Sequence, residues 1–162
     1  MKNDAYFDPT GRYRYTLDRT WGDGGSRVLW VMLNPSTADA EQNDPTIRRC
    51  ISFSKRWGYD GLTVVNLFAF RSTDPGRLAA EEEPIGERND MHIQLAAISC
   101  ERTIAAWGAH PFAKVRARDV RGWLGSAYCL GLTAGGAPKH PLYVPGDTLP
   151  IAFPLPMDQV AA

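Results

Sequence analysis

Asn66 is out of place in "LTVVNLFAF" (62–70), where it breaks a nearly continuous apolar run. A side-chain amide in such a strand costs on the order of 1–3 kcal/mol if its hydrogen bonds go unmade, so Asn66 must have partners. Two roles supply them. Asn66 is either a structural amide that pins a neighbouring loop, or a reader of a base. An amide sets a donor beside an acceptor, which matches the carbonyl and N–H edge of a pyrimidine. A second polar interruption ends "VLWVMLNPST" (28–37), where Asn34, Pro35, Ser36 and Thr37 follow the apolar residues. His140 sits in "PKHPLYVP" between Pro138 and Pro141, so its backbone is stiff. As a surface-loop histidine it would do nothing further. As an aimed imidazole, neutral or protonated, it would donate to an oxygen that gains negative charge during bond cleavage.

Other patterns carry less chemistry. His110, just before Pro111, suits the cap of a helix, and His92 falls in a helix where it is expected to be solvated. "DRTWGDGG" and "TAGGAP" fit neither the dinucleotide fingerprint nor the phosphate-loop spacing and read as turns. No Ser-x-Gly elbow, His-Glu-x-x-His pair or activated cysteine context is present. Arg48 and Arg49, and the group Lys114, Arg116, Arg118 and Arg121, read as wet helix faces that would hold a phosphate backbone only if they shared one side. Glu81–Glu83 reads as a solvated run.

These residues need elements to position them. Residues 12–20 alternate in character, the glycine-rich turn "WGDGGS" follows, and 27–33 is a buried strand, so the chain is expected to open with a β-hairpin. "NDPTIRRCISFSKRWG" carries helix punctuation, with Asp44 as N-cap, Pro45 in the first turn and Gly58 past the end. Its inward stripe is Ile47, Cys50, Ile51, Ser54 and Trp57. Buried strands follow at 62–70, 102–108 and 127–133. Two helices lie between them: one at 87–99 with Met91, Leu95 and Ile98 inward, and one at 110–125 with Phe112, Val115, Val120, Trp123 and Leu124 inward. Residues 71–84 are a polar loop with room for a short helix, and the tail after Gly146 shows little regular pattern. Strands alternating with helices predict a mostly parallel sheet with helices on both faces, an α/β three-layer α/β/α sandwich. Ligands of such sheets bind at the carboxyl ends of the strands, where "NPST", Asn66, "WGAH" (107–110) and "TAGGAPKHP" (133–141) would then converge.

Composition bounds the rest. Residues 1–162 are expected to form one domain, with 44% hydrophobic and 22% charged residues. Eighteen basic residues balance eighteen acidic ones, so any nucleic-acid or membrane contact must rest on local patches. No apolar run approaches a membrane span and the N-terminus has no signal-peptide character. The three isolated cysteines form no disulfide framework or metal knuckle, and suit a reducing cytosol. The expectation is a cytoplasmic protein without metal or cofactor.

"LNPSTADAEQNDPTIRR", "VVNLFAFRSTDP" and "PKHPLYVP", in this order over most of 27–145, resemble an uncharacterised bacterial and phage domain family built around a Leu-Asn-Pro-Ser-Thr-Ala-Asp motif. A more distant resemblance is to the uracil-DNA glycosylase superfamily, in its mismatch-specific branch. There one strand ends in a motif like Gly-Ile-Asn-Pro-Gly, a second ends in Asn before a loop, and a late His-Pro-x-x-Leu motif follows. Here "MLNPS" (32–36), "VVN" (64–66) with "FRSTDP" (70–75), and "HPLY" (140–143) match in order and placement. The resemblance implies a glycosylase-like fold and hydrolysis of the N-glycosidic bond of a uracil or modified base flipped out of single- or double-stranded DNA; a monomer is expected beside it. By it, Asn66 reads the base, His140 donates to its carbonyl oxygen and Asn34 holds the water, with Pro35 and Ser36 forming the turn beside the strand. Phe68 and Arg71 join Pro35, Ser36 and Asn66 as expected substrate-binding residues, and Phe68, Phe70 and Trp107 are the candidates to stack on the base. The strand-end motif holds no acid, so Asp39 and Asp44 are the nearest candidates to activate water. Two rivals stand beside this reading. The missing motif carboxylate favours a non-catalytic module that binds a nucleotide or modified base. The zero net charge favours a hydrolase of free nucleosides or nucleotides.

Overall fold

A computed structural model describes residues 1–154. Seven strands form one mixed sheet: β1 (Lys2–Phe7), β2 (Arg14–Thr20), β3 (Arg27–Met32), β4 (Gly61–Asn66), β5 (Arg102–Ala105), β6 (Tyr128–Cys129) and β7 (Ile151–Ala152). Their spatial order is β1-β2-β4-β3-β5-β6-β7. The four central strands β4, β3, β5 and β6 run parallel, while β1, β2 and β7 pair antiparallel. The parallel sheet expected from alternating strands and helices is therefore the centre, and antiparallel strands close both edges.

The chain does open with an antiparallel hairpin, but its strands are β1 and β2. The expected pairing of β2 with β3 does not occur, because β4 lies between them. A β-bulge marks this hairpin: Tyr6 faces Thr16 and Phe7 faces Arg14, so Tyr15 is the extra residue. Tyr15 stacks on His92 with ring centroids 5.0 Å apart, while Arg14 donates to the carbonyl of Ala38 on the opposite side of the sheet. A bulge re-aims a side chain in this way by breaking the two-residue alternation.

Helix α1 (Pro45–Arg56) covers one face of the sheet, and α2 (Asn89–Ser99) with α3 (Pro111–Arg121) covers the other. The α1 boundaries follow from its ends. The Asp44 carboxylate accepts from the Ile47 amide at 2.9 Å, Pro45 fills the first turn, and Gly58 takes φ +87° just beyond the last. Its inward stripe is the expected one, with Phe53 added. Trp30 on β3 anchors it, stacked on Trp57 at 5.6 Å and donating to the Ser54 hydroxyl at 3.0 Å.

The other two helices turn different faces inward from those the apolar spacing suggests. Met91, Leu95 and Ile98 of α2 are exposed, Ile98 by 83%, and Asn89, Ile93 and Ala96 are buried instead. Phe112 and Val115 of α3 are exposed, while Ala113, Arg116, Ala117 and Val120 face the sheet. Two polar anchors account for the rotation. Asn89 donates to the carbonyls of Asn66 and Leu67 at 2.9 and 3.2 Å, and Arg116 Nε donates to Leu67 at 2.9 Å while pairing with Asp90 at 2.5 Å. The backbone turn after β4 would otherwise leave these carbonyls buried without donors, and small residues beside the anchors let the helices approach. His92 is likewise half-buried between Tyr6 and Tyr15 rather than solvated.

The loop at 71–84 holds a short 3₁₀ helix, Pro75–Ala79, capped by Asp74. The tail contributes β7, and its last eight positions lie outside the described residues. Among the described residues no helix is long and apolar enough to cross a membrane.

Candidate functional site

The chain passes from β3 through α1 to β4 on one side, and from β4 through α2 to β5 on the other side of β3. Such a reversal opens a crevice beyond the carboxyl ends of the strands. The ends are level: Met32 lies opposite Asn66, Val31 opposite Ala105, and Ala105 opposite Cys129. A cleft of about 530 Å³ opens there on the α1 side. Arg14, Asn34, Ser36, Asp44, Asn66, Trp107, His110 and His140 all line it, with Thr46, Ser72, Thr73 and Tyr143 at its wall.

Asn66 is 1% exposed, and neither its Nδ2 nor its Oδ1 has a hydrogen-bond partner. The role of pinning a loop falls to Asn34 instead, whose Nδ2 donates to the carbonyls of Pro35 and Ser72 at 3.1 and 3.0 Å. This ties the 70–73 segment onto the end of β3 and leaves Asn34 Oδ1 as the acceptor on that side chain. A buried amide with both ends unmet is rare in a folded protein.

His140 caps the 3₁₀ turn Pro141–Tyr143. Its Nδ1 accepts from the Leu142 amide at 3.2 Å, so the neutral ring carries its proton on Nε2. Burial holds its pKa below the usual 6.5, against the opposing pull of the Asp44 carboxylate. The loop around it is fastened at several points. Gly108 takes φ +79° beneath the His140 Cβ, and its amide donates to Pro138 at 2.9 Å. Arg49 donates to Pro141 at 3.1 Å and also to the carbonyl of Val144. Arg49, expected on a wet face, is the clamp that holds His140 against α1. His110 is the expected cap, accepting from Phe112 at the start of α3.

Asp44 accepts the Ile47 amide with one oxygen and lines the cleft beside His140. Asp39 does not line the cleft: its Oδ1 closes a turn with the amides of Glu41 and Gln42, both at 2.8 Å, which hold its carboxyl below the usual range. Pro35 is buried and contributes its carbonyl to Asn34 and to the Ser72 amide. Phe68 packs into the core on the α2–α3 side, its ring edge against Phe112. Arg71 lies over the Phe7 ring at 4.8 Å and donates to Gly11. Of the three aromatic stacking candidates, Trp107 is the one that lines the cleft.

Arg14 is the site residue that sequence reasoning passed over. It is 2% exposed; Nη1 donates to Ala38 at 2.9 Å and Nε has no partner. Burial brings its guanidinium down to about 10, with Asp44 opposing and Arg71 and Arg19 adding to the fall. The family model for a protein of unknown function, DUF1643, matches residues 14–142, from Arg14 to just beyond His140. The chain belongs to the DUF1643 family. No curated protein and no solved structure matches it. In this DUF1643 domain the cleft can therefore offer a neutral amide, an imidazole donor, a carboxylate and a buried cation, between Trp107 and the 3₁₀ turn.

Proposed function

We propose that this DUF1643 domain takes a pyrimidine-type base, turned out of a DNA strand, into the cleft and hydrolyses its N-glycosidic bond. The observation that carries the reading is the Asn66 amide, buried in the cleft with donor and acceptor both unmet. A ligand edge offering a carbonyl beside an N–H would satisfy both at once. A glycosylase-like fold, which the resemblance of the three motifs implies, is part of the proposal.

The chemistry assigned is a dissociative cleavage. The bond from C1′ to the base nitrogen breaks, the electron pair leaves with the base, and water adds its oxygen to C1′. His140 Nε2–H donates to the base carbonyl as negative charge grows there. Asn34 Oδ1 and Asp44 orient the water, and Asp44 accepts its proton. Asp44 supplies, from the cap of α1, the carboxylate that the strand-end motif lacks.

The test is a cleavage assay on labelled single- and double-stranded oligonucleotides containing uracil, mismatches, hypoxanthine or hydroxymethylated pyrimidines, with alkali to reveal abasic sites. Cleavage of one substrate, lost in Asn66→Ala and in His140→Ala, is the expected result. Folded protein that cleaves nothing in the panel overturns the hydrolase assignment, and Asn66-dependent binding would then favour a binding module. The zero formal net charge favours a second reading, a hydrolase of free nucleotides. Salt separates the two: affinity for a tracked strand falls steeply with salt concentration through released counterions, and affinity for a free nucleotide far less.

A further inference from the structure

Arg14 has no role in the hydrolysis as assigned, and the carboxylates that favour its charge, Asp44 and Asp39, do so from a distance without pairing with it. Among the described residues no carboxylate oxygen lies within 4 Å of its guanidinium; the three ion pairs are Arg12–Glu81, Arg27–Asp18 and Arg116–Asp90. Its one bond, to the Ala38 carbonyl, satisfies a single N–H of five. A buried cation without a paired anion is strongly destabilising, and proteins ordinarily neutralise or pair such a group. Arg14 is brought to this face by the Tyr15 bulge, away from the side on which strict alternation would leave it. Asn66, the other unmet polar side chain at the cleft, is as deeply buried. One is neutral and two-sided; the other is a fixed positive charge.

We propose that Arg14 is the anion-receiving group of this cleft and that the ligand brings an oxyanion to it, so that the ligand is an acidic nucleotide unit rather than a neutral base or nucleoside. Planar guanidinium N–H groups match phosphate and carboxylate oxygens. The oxyanion is either a phosphate on the sugar or an acidic substituent on the base. The assignment rests on the base-binding reading for Asn66 and adds the charge.

Calorimetric titration of the full chain tests it with four probes: deoxyuridine, deoxyuridine 5′-monophosphate, uracil and 6-carboxyuracil. For wild type, one anionic probe should bind about ten- to a hundredfold tighter than its neutral counterpart, the range of a charged hydrogen bond. The monophosphate identifies the sugar phosphate as the source, and the carboxyuracil identifies a base substituent. Arg14→Met should abolish the preference, and Arg14→Lys should keep part of it. Equal affinity for charged and neutral probes, no binding of either anion, or a preference that survives in Arg14→Met overturns the proposal. Thermal unfolding of ligand-free Arg14→Met guards against misfolding as a cause: a melting temperature close to wild type is expected, because losing a buried charge that has no direct ion pair offsets the Ala38 carbonyl left without its donor. A fall of several degrees would make Arg14 a structural anchor of Ala38 and also overturns it. The two readings fail separately. Anion binding that needs Arg14 but not Asn66 would sink the base reading alone, whereas Asn66-dependent binding of neutral probes without charge preference would sink the anion assignment alone.

Discussion

At Asn66 stability and binding pull in opposite directions. An amide that is buried and unpaired in the free protein raises its free energy, and the same amide gives a ligand its specificity. Asn66→Leu, of similar volume, should therefore raise the stability of the free protein by roughly 1–2 kcal/mol, read as a melting temperature higher by about 2–4 °C per kcal/mol for a chain of this size. It should abolish ligand binding at the same time. A lower melting temperature would mean that the amide has structural partners after all. Asp44 allows its two duties to be separated. Asp44→Asn keeps an oxygen for the Ile47 amide, so stability should move by less than about 0.5 kcal/mol, asparagine and aspartate being near-equal caps. Hydrolysis should fall by about a hundredfold or more, the usual contribution of a positioned general base. Parallel denaturation and single-turnover measurements on the variant would show whether the cap and the carboxylate are independent.

At the scale of elements, the floor of the cleft is braced from behind. Asn89 and Arg116 hold the carbonyls of Asn66 and Leu67 from the α2–α3 side, so Asn66 owes its position to residues that never touch the cleft. Asn89→Ala should cost about 1–3 kcal/mol by leaving those buried carbonyls short of a donor, and should weaken ligand binding besides; urea denaturation alongside titration reads both. These braces also mark where the sequence stops being legible. α1 was readable because cap, proline, stripe and terminal glycine all agree. The spacing of Met91, Leu95 and Ile98 pointed the wrong way because an asparagine and an arginine, not the large apolar residues, set the rotation of α2 and α3. Asn34, Asn66 and His140 announced themselves as polar residues in apolar or proline-stiffened surroundings, and the sheet brought them to one edge with Asp44. Arg14 gave no such sign, since a bulge invisible to period-two counting decides the face on which it lies. Phe68 looked like a site residue because two-residue spacing would put it on the face of Asn66, but β4 ends at Asn66 and the chain beyond it carries Phe68 into the α2–α3 side core.

For the whole molecule, half-buried imidazoles shape the response to acid. Burial keeps His140 and His92 below the usual 6.5 in the folded state, Arg88 adding to the effect at His92. The unfolded chain therefore takes up protons first as pH falls. Stability from these two sites is complete above pH 6.5 and declines as pH drops below it toward the folded-state values. Chemical denaturation between pH 8 and pH 5 should show that decline, and the double variant His92→Gln/His140→Gln should flatten it over this range. The sheet has a further property at this scale. Its spatial order keeps β1 to β4 on one side of the β3–β5 ladder and β5 to β7 on the other, so the first and second halves of the chain each own a contiguous half of the sheet. Arg14, Asn34, Asp44 and Asn66 belong to the first half; Trp107 and His140 belong to the second. A cut in the exposed Glu82–Glu83 stretch would leave two pieces that each carry an incomplete set of cleft residues. Bringing them together again would rebuild the cleft across that ladder, which makes this domain a natural candidate for a two-fragment reporter whose signal depends on reassembly.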